Sequence, residues 1–332
     1  MIIVPRKEVI VKVNAPTINW LLEDDEPSIK FLTMTKLLDE APDSPAARKV
    51  RDKIAKSNRV IALLSGQKPD GGFGCHPYSK WMGAHWRLVS LVNLAIPQGD
   101  KRAIKAAGTV LDWLTGLAHK KSIRLISGLT RRCASQEGNA LAVCCRLGLA
   151  DGPRVRYLAD SLISWQWPDG GWNCDKEKDA CHSSFHESVI PMWGLIEYHR
   201  VTGHKESLAA ANRTAEFILR HQLFKSEKTG EIINPKWLKL RWPHYWHYDI
   251  LQGLAVLALI GKIRDSRACE ALDIVEQKRL SNGRWKADGY YWNRSNAKGL
   301  YLDPVDWWRG QPNKLLTLNA LRVLKAAGRI VS

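Results

Sequence analysis

The 332-residue sequence lacks the short motifs by which most nucleotide-binding and hydrolytic enzymes are recognised. It contains no glycine-rich phosphate loop, no dinucleotide-binding fingerprint and no nucleophile elbow. No apolar run approaches the length of a membrane span, and Met1–Glu8 has neither the hydrophobic region nor the cleavage site of a signal peptide. Because the seven cysteines are an odd number without such a signal, we expect a protein of the reducing cytoplasm.

Acidic side chains are few compared with basic ones, at 33 against 50, which gives a formal net charge of +17. No long run of like charges occurs, so the sequence predicts no polybasic tail. The surface should attract anions such as diphosphates or acidic lipid headgroups, and contact with a membrane surface is one expectation. Charge is the only feature that favours nucleic acid, so we expect no specific nucleic-acid partner.

Tryptophan, in contrast, is abundant, with 15 residues, and it marks a repeated turn. Trp165–Trp172 reads Trp-Gln-Trp-Pro-Asp-Gly-Gly-Trp, Gln67–Phe73 has the same order with phenylalanine at its end, and Gln277–Trp285 is a longer, degenerate copy. Helical stretches end near positions 67, 118, 166, 222 and 277. A period of about 50 residues is typical of an architecture in which one supersecondary unit is repeated.

The turn Gln-x-x-Asp-Gly-Gly-aromatic resembles the QW motif of terpenoid (squalene-type) cyclases and the matching repeat of protein prenyltransferase β subunits. The resemblance extends from about Ser57 to Arg329 and is greatest to small stand-alone bacterial members of that superfamily. It implies an all-α fold, an α/α toroid of about six helical hairpins around a central cavity. We expect a single domain over residues 1–332, with an extended N-terminal segment over about 1–15.

The apolar periodicity predicts most of the helices directly. The predicted helices span 29–40, 46–56, 59–67, 81–95, 101–119, 136–149, 154–167, 183–201, 206–222, 246–260, 266–277 and 313–327.

The repeated turns and the longest connection have predicted places in the toroid. We expect Phe73, Trp172 and Trp285 to pack between neighbouring hairpins without contacting a ligand, and the long connection 224–243 to close over one mouth of the cavity.

A zinc site is implied by the same resemblance. Asp179-Ala180-Cys181 is similar to the prenyltransferase pattern in which an aspartate and a cysteine bind zinc, and His247 is the nearest match to the histidine ligand. A carboxylate, a thiolate and an imidazole with one open position suit catalytic zinc. The alternative is that Asp179 caps a helix, Cys181 is a small buried hydrophobe and the histidine hydrogen-bonds within the core.

Polar and aromatic residues near the starts of the predicted inner helices are the candidates for a binding and reaction site. Carboxylates and imidazoles can act as acids and bases, and aromatic faces stabilise cations. The same residues could instead form a hydrogen-bonded layer that fixes the register of the hairpins. The cavity candidates are His85, Trp86, His244, Tyr245, Trp246 and Tyr248, and the catalytic candidates are Asp179, His186, Glu187 and Asp249.

Two motifs of the family are missing. The sequence has neither the Asp-x-Asp-Asp acid of class II cyclases nor the Asp-Asp-x-x-Asp diphosphate site, and it is about half as long as the two-domain cyclases. The resemblance therefore implies a protein that binds an isoprenoid or isoprenoid diphosphate in an aromatic cavity and that is a transferase or unusual cyclase if it is an enzyme. A non-catalytic toroid for a lipid or peptide remains open, as does a carbohydrate-active enzyme that uses Glu187 and Asp249. The sequence leaves the oligomeric state open.

Overall fold

The computed structural model describes residues 11–331, and α-helices dominate it. The predicted all-α class is confirmed. In chain order the helices are α1 Ala15–Leu21, α2 Pro27–Lys36, α3 Pro45–Ile54, α4 Asn58–Leu64, α5 Ala84–Asn93, α6 Lys101–Thr115, α7 Leu117–Lys121, α8 Ser135–Leu147, α9 Pro153–Trp165, α10 Phe185–Thr202, α11 Lys205–Arg220, α12 Ile250–Leu259, α13 Cys269–Gln277 and α14 Lys314–Ala326.

The helices form two layers around one cavity. Within residues 11–331, six helices contribute side chains to the cavity wall, namely α2, α5, α8, α10, α12 and α14. These inner helices are buried on most sides; α12, for example, is apolar at nearly every position. The outer helices are amphipathic and bury one face, as α6 does with Ala103, Ala106, Val110 and Leu114. This arrangement is the ring of helical hairpins that the repeat predicts.

The repeated turns join neighbouring outer helices. The Gln166 side-chain amide donates hydrogen bonds to the carbonyls of Gly170 and of Ala210 in α11, both at 2.9 Å. The Gln67 amide makes the same pair of bonds, to Gly71 at 3.0 Å and to Arg102 of α6 at 2.9 Å. Each glutamine therefore closes its own turn and fastens it to the next outer helix.

The aromatic residues of the turns pack against the core, as predicted, although Phe73 is only partly buried. Trp172 and Trp285 are fully buried. The Trp172 indole donates to the Leu162 carbonyl at 2.9 Å, and the Trp285 indole donates to the Val275 carbonyl at 2.7 Å. Each indole thus satisfies a carbonyl at the end of the preceding outer helix, where the last turn leaves acceptors unpaired.

The third turn links the end of the chain to its beginning. The Thr17 hydroxyl of α1 donates to the Asn282 carbonyl at 3.1 Å. A Cβ at Gly283 would lie 2.6 Å from that same hydroxyl oxygen, so the turn and α1 are in close contact. The third repeated turn therefore also contacts a neighbouring helix, here through the Thr17 hydroxyl of α1.

Short strand pairs complete the described part of the chain. β1 Val11–Lys12 pairs in parallel with β6 Ile330–Val331, β2 Arg124–Ile126 forms a hairpin with β3 Leu129–Arg131, and β4 Asn293–Arg294 pairs with β5 Leu302–Asp303. Most of the expected extended segment, residues 1–10, lies outside the described residues. Over residues 11–331, no helix combines the length and apolar character needed to cross a bilayer.

Several helices differ from their predicted extents, and two of the differences have a clear structural reason. The helix predicted over 101–119 divides at Gly116, which has extended backbone and caps both α6 and α7. The helix predicted over 246–260 begins at Ile250, because Asp249 is its N-cap and accepts the Gln252 N–H at 3.0 Å. The residues before Asp249 are thus free to form an irregular segment beside the cavity.

Candidate functional site

The inner helices enclose a cavity of about 480 Å³. Much of its wall is apolar, with aromatic side chains from α10 and from the segment before α12. A volume of this size lies in the range typical of small-molecule sites. The apolar and aromatic lining comprises Leu32, Val89, Val92, Val189, Ile190, Trp193, Trp242, Tyr245, Leu251, Val256, Leu259 and Leu315.

One end of the cavity is strongly basic. Four cationic side chains, those of Lys36, Arg146, Arg200 and Arg322, line it together with a single carboxylate, that of Glu197. Glu197 is buried and accepts hydrogen bonds from the Arg146 guanidinium at 2.7 Å and the Trp193 indole at 3.2 Å. We call Lys36, Arg146, Arg200 and Arg322 the basic cluster. Its positive charge clearly exceeds the single negative charge of Glu197.

The position of the basic cluster follows from the helices that carry it. Lys36, Arg146 and Arg200 lie in the last turns of α2, α8 and α10. Cations are favoured at helix C-termini by about 0.3–1 kcal/mol each. That stabilisation accounts for single cations, but it does not account for four that face one another across a shared space.

Mutual repulsion within the basic cluster is visible in its acid–base properties. Burial, and then the charges of Arg146 and Arg200, lower the pKa of Arg322 to about 10. Burial, followed by the charge of Arg322, also lowers the pKa of Lys36. An anion bound among these groups would relieve the repulsion, so the cluster is built to receive negative charge.

Unpaired polar atoms also face this cavity. The buried amide nitrogen of Asn139 and the amide oxygen of Gln252 have no hydrogen-bond partner within the described residues, and both side chains line the cavity. A buried polar group without a partner costs about 1–3 kcal/mol. These atoms are therefore suited to bind a polar part of a ligand.

The other end of the cavity is aromatic. Trp242, Pro243, His244 and Tyr245 line it. Of the long connection predicted to close over a mouth of the cavity, only the last two residues, Trp242 and Pro243, belong to the described lining. The Tyr245 ring stacks on Trp81 with 3.8 Å between centroids. His244 and Tyr245 are the two predicted cavity residues that the structure places in the wall.

A buried carboxylate lies beside each of these two residues. Nε2 of His244 lies 3.1 Å from an Asp249 oxygen but makes no hydrogen bond to it, whereas the same oxygen accepts the Arg241 N–H at 3.0 Å. The Tyr245 hydroxyl contacts Oδ2 of Asp303. Asp249, one of the catalytic candidates, therefore lies behind His244 and does not itself line the cavity.

Asp303 has an acidity unlike that of an ordinary aspartate. Its carboxylate accepts the Val305 N–H at 2.9 Å and the Trp307 indole N–H at 3.0 Å. Burial nonetheless dominates and raises its pKa to about 7. The Asp303–Tyr245 contact therefore brings a group able to hold a proton near neutral pH into contact with the cavity wall.

The remaining cavity candidates lie elsewhere in the structure. His85 is buried between α5, α6 and α8, where burial lowers its pKa to about 3. The Trp86 indole donates to the Tyr78 carbonyl at 2.9 Å, and the Tyr248 hydroxyl donates to the Leu223 carbonyl at 2.7 Å. Trp246 stacks on His247 at 4.0 Å. All four side chains lie outside the cavity lining, because they pack between neighbouring helices and loops.

The residues implied as zinc ligands are not brought together. Asp179 and Cys181 are exposed in the loop before α10. His247 is half-buried and stacks on Tyr291 at 3.3 Å. Within residues 11–331 these three do not form a group with ligand atoms within 4.8 Å of one another. The starts of α10 and α12 do meet, since His186 Nδ1 accepts the Tyr248 N–H at 2.9 Å.

Sequence reasoning missed the basic cluster and Asp303. The basic residues lie near the ends of the inner helices, whereas the candidates predicted from the sequence lie near their starts. A basic residue in the last turn of three of the six inner helices was the signal that could have found three of the four. Asp303 ends the two-residue strand β5 in a segment without periodicity, and no pattern marked it.

Comparison with known proteins adds a distant likeness. No protein-family model matches the chain, and no curated protein matches it in sequence. It is similar to the type II terpene cyclase MstE from Scytonema: a variant with its product merosterolic acid A has 14% identity and a TM-score of 0.41 over 94% of this chain and 98% of the cyclase. A variant with the substrate geranylgeranyl dihydroxybenzoate gives the same two values over 95% and 99%. The fold assignment therefore rests on the helix packing within this chain.

Proposed function

We propose that the protein binds an isoprenoid diphosphate, or an amphipathic anion of the same design, in its central cavity. The observation that carries the proposal is the basic cluster at one end of an otherwise largely apolar space. A hydrocarbon chain fits the apolar wall, and a diphosphate fits an excess of lysine and arginine. The ligand would lie with its charged head at the ends of α2, α8 and α10 and its chain toward Trp242 and Tyr245.

Ion pairing within the protein leaves most of this charge available. Arg146 is held by Glu197 at 2.7 Å, and Arg200 lies 3.7 Å from the same carboxylate. Among the described residues, Arg322 reaches only the Asn319 amide oxygen, at 3.4 Å. Lys36 and Arg200 are exposed, so this end of the cavity is accessible to a charged group from solvent.

Calorimetric titration with farnesyl diphosphate and farnesol tests the proposal. The two ligands share a hydrocarbon chain and differ in the charged head, so the basic cluster should favour the diphosphate strongly. Arg322→Gln should weaken diphosphate binding by about 10- to 100-fold, the range expected for a charge-assisted hydrogen bond, and should leave farnesol binding unchanged.

Arg156→Gln is the matched control, because Arg156 is an exposed arginine on the outer helix α9. It should bind both ligands as the wild type does. Equal affinity of the wild type for diphosphate and alcohol would contradict the proposal, as would an equal loss in Arg322→Gln and Arg156→Gln. A circular dichroism spectrum for each variant checks that the ring is folded.

Proton transfer to a bound isoprenoid is a second candidate function. It is favoured by the contact between the cavity-lining Tyr245 and Asp303, whose burial raises its pKa to about 7. Incubation with farnesyl diphosphate in heavy water should place deuterium in the hydrocarbon, and Tyr245→Phe should abolish the incorporation. Unchanged ligand recovered without deuterium would exclude this activity for that ligand.

A further inference from the structure

Two cysteines and a glutamate meet near the N-terminal ends of α8 and α10. Cys133 precedes α8, Cys174 follows the turn that contains Trp172, and Glu187 lies in the first turn of α10. Their sulfur atoms and a carboxylate oxygen all lie within 4.8 Å of one another. Within residues 11–331, no other set of three histidine, cysteine or acidic side chains is gathered this closely.

Backbone contacts bring the three residues together. A parallel bridge joins Arg131 to Asn173, and the Arg132 N–H donates to the Asn173 carbonyl at 3.0 Å. The bridge sets Cys133 beside Cys174. One oxygen of Glu187 accepts the Ser135 N–H at 2.9 Å, which orients its other oxygen toward Cys174.

The charge at this position is incompletely compensated. Glu187 is only 6% exposed, and its second oxygen is contacted by Cys174 Sγ at 3.9 Å, a weak donor. The guanidinium of Arg132 is hydrogen-bonded to Glu137 at 2.8 Å. A bound cation would compensate this buried carboxylate.

We propose that Cys133, Cys174 and Glu187 bind a zinc ion, with water in the fourth position. Zinc–sulfur bonds of about 2.3 Å place two sulfurs about 3.8 Å apart in a tetrahedral site, so the observed cluster needs only a small closure. Two thiol ligands select zinc over magnesium or calcium. The set differs from Asp179, Cys181 and His247 in every residue.

The ion would have a structural role. It would cross-link the loop before α8, the loop after the second repeated turn and the first turn of α10. None of the three ligands lines the central cavity. Zinc binding at this site is therefore independent of ligand binding in the central cavity.

Cobalt(II) titration of the reduced full-length chain tests the site, because cobalt bound by thiolate gives a near-ultraviolet charge-transfer band. We expect the wild type to bind about one ion per chain. Cys133→Ser and Cys174→Ser should each weaken binding by about 100-fold or more, since loss of a ligand should exceed the 10- to 100-fold effect of outer-shell changes. Added zinc should bleach the band, and it should raise the melting temperature of the wild type but not that of Cys133→Ser or Cys174→Ser.

Cys181→Ser is the matched control, because Cys181 is exposed in the neighbouring loop; it should keep both the band and the zinc-dependent stabilisation. Glu187→Gln tests the third ligand without removing its volume, and it should retain the fold and lose affinity. Absence of a thiolate band in the wild type would overturn the proposal. So would loss of the band in Cys181→Ser with retention in Cys133→Ser, or a Cys133–Cys174 disulfide in a chain that takes up no metal.

Discussion

In the second and third repeated turns, a tryptophan indole donates to a carbonyl at the end of the preceding helix. At the first turn, Arg87 of α5 provides that donor instead. Phe73 stands at the tryptophan position and has no donor. The Arg87 guanidinium lies 4.0 Å from the centre of the Phe73 ring and donates to the carbonyls of Leu63 at 3.0 Å and Ser65 at 3.1 Å. Arg87 thus pairs the carbonyls at the end of α4, which Phe73 cannot pair because its side chain has no hydrogen-bond donor.

Arg87→Leu should therefore be destabilising by about 2–4 kcal/mol, because it leaves buried carbonyls unpaired. Phe73→Trp in the Arg87→Leu background should recover part of that loss by restoring an indole donor. Urea denaturation of the two single variants and the double variant measures both effects. Strict additivity of the two substitutions would show that the residues do not share this role.

The buried Asp303 should make stability depend on pH. Its pKa is about 7 instead of the ordinary 3.8, so the folded state holds a proton that the unfolded state releases. The stabilisation is complete below pH 3.8 and is lost as the pH rises toward 7. The maximum effect is about 4 kcal/mol, since each pKa unit corresponds to about 1.4 kcal/mol.

Asp303→Asn mimics the protonated side chain and removes this dependence. Unfolding free energies of wild type and variant, measured from pH 4 to 8, should diverge in favour of the variant as the pH rises. A constant difference over that range would mean that Asp303 is ionised throughout.

At the residue scale, the sequence could identify which types of side chain lie near the cavity, but not which of them point into it. The aromatic and ionisable run before α12 was predicted to line the cavity, and the structure places His244 and Tyr245 there. Trp246 and Tyr248 belong to the same run yet point elsewhere, because irregular backbone before Asp249 has no fixed period. The prediction that His85 lines the cavity was wrong for another reason. Helical spacing identifies the buried face of a helix, but it does not show whether that face meets the cavity or a neighbouring helix.

At the scale of elements, the turn glycines carry a steric requirement. Gly71 has φ +95°, and a Cβ there would lie 2.5 Å from the Lys105 carbonyl oxygen of α6. Gly170 meets the Arg213 carbonyl in α11 at the same distance. The absence of a side chain lets each turn approach the next outer helix closely enough for the glutamine to bond to it.

Gly71→Ala and Gly66→Ala separate this contact from backbone strain. Both glycines have positive φ, but a Cβ at Gly66 has nothing within 4 Å. Gly66→Ala should cost about 1–2 kcal/mol, the penalty for a left-handed alanine, and Gly71→Ala should cost at least about 2 kcal/mol more because a rigid backbone atom blocks the Cβ. Equal losses in thermal or urea unfolding would show that the turn can shift away from α6.

The helices themselves were predictable because their signals are local. Apolar periodicity and the repeated stops place most of them within a few residues of the observed bounds. The strand pairs were not predicted, since β1 and β6 lie at opposite ends of the described chain and each is two residues long. Pairing between distant segments of that size leaves no pattern in either segment.

At the scale of the molecule, the ring should unfold as one unit. Trp172 joins internal repeats, whereas Trp285 lies in the turn that contacts α1 and so closes the ring. Truncation of either buried ring to alanine should cost about 3–5 kcal/mol, and each variant should still show one transition, at which far- and near-ultraviolet circular dichroism coincide. Separate transitions for the two halves would contradict a single cooperative domain.

The cavity's polarity is a property of the whole ring and was invisible from any one stretch of sequence. Each cation lies on a different inner helix, about a repeat or more from the next. Lys36, Arg146 and Arg200 each look like an ordinary last-turn cation in their own helix. Closure of the ring is what makes Lys36, Arg146, Arg200 and Arg322 neighbours. The net charge of +17 predicts a surface that attracts anions, but it could not show that four of the cations line the cavity.

A crystal structure with a non-hydrolysable analogue of farnesyl diphosphate tests directly whether the cavity binds an isoprenoid diphosphate, because it shows both the place and the orientation of the ligand. We predict the diphosphate within hydrogen-bonding distance of the basic cluster, with the hydrocarbon chain running toward Trp242 and Tyr245. A diphosphate at the His244–Tyr245 end, or an analogue bound only on the outer surface, would contradict it.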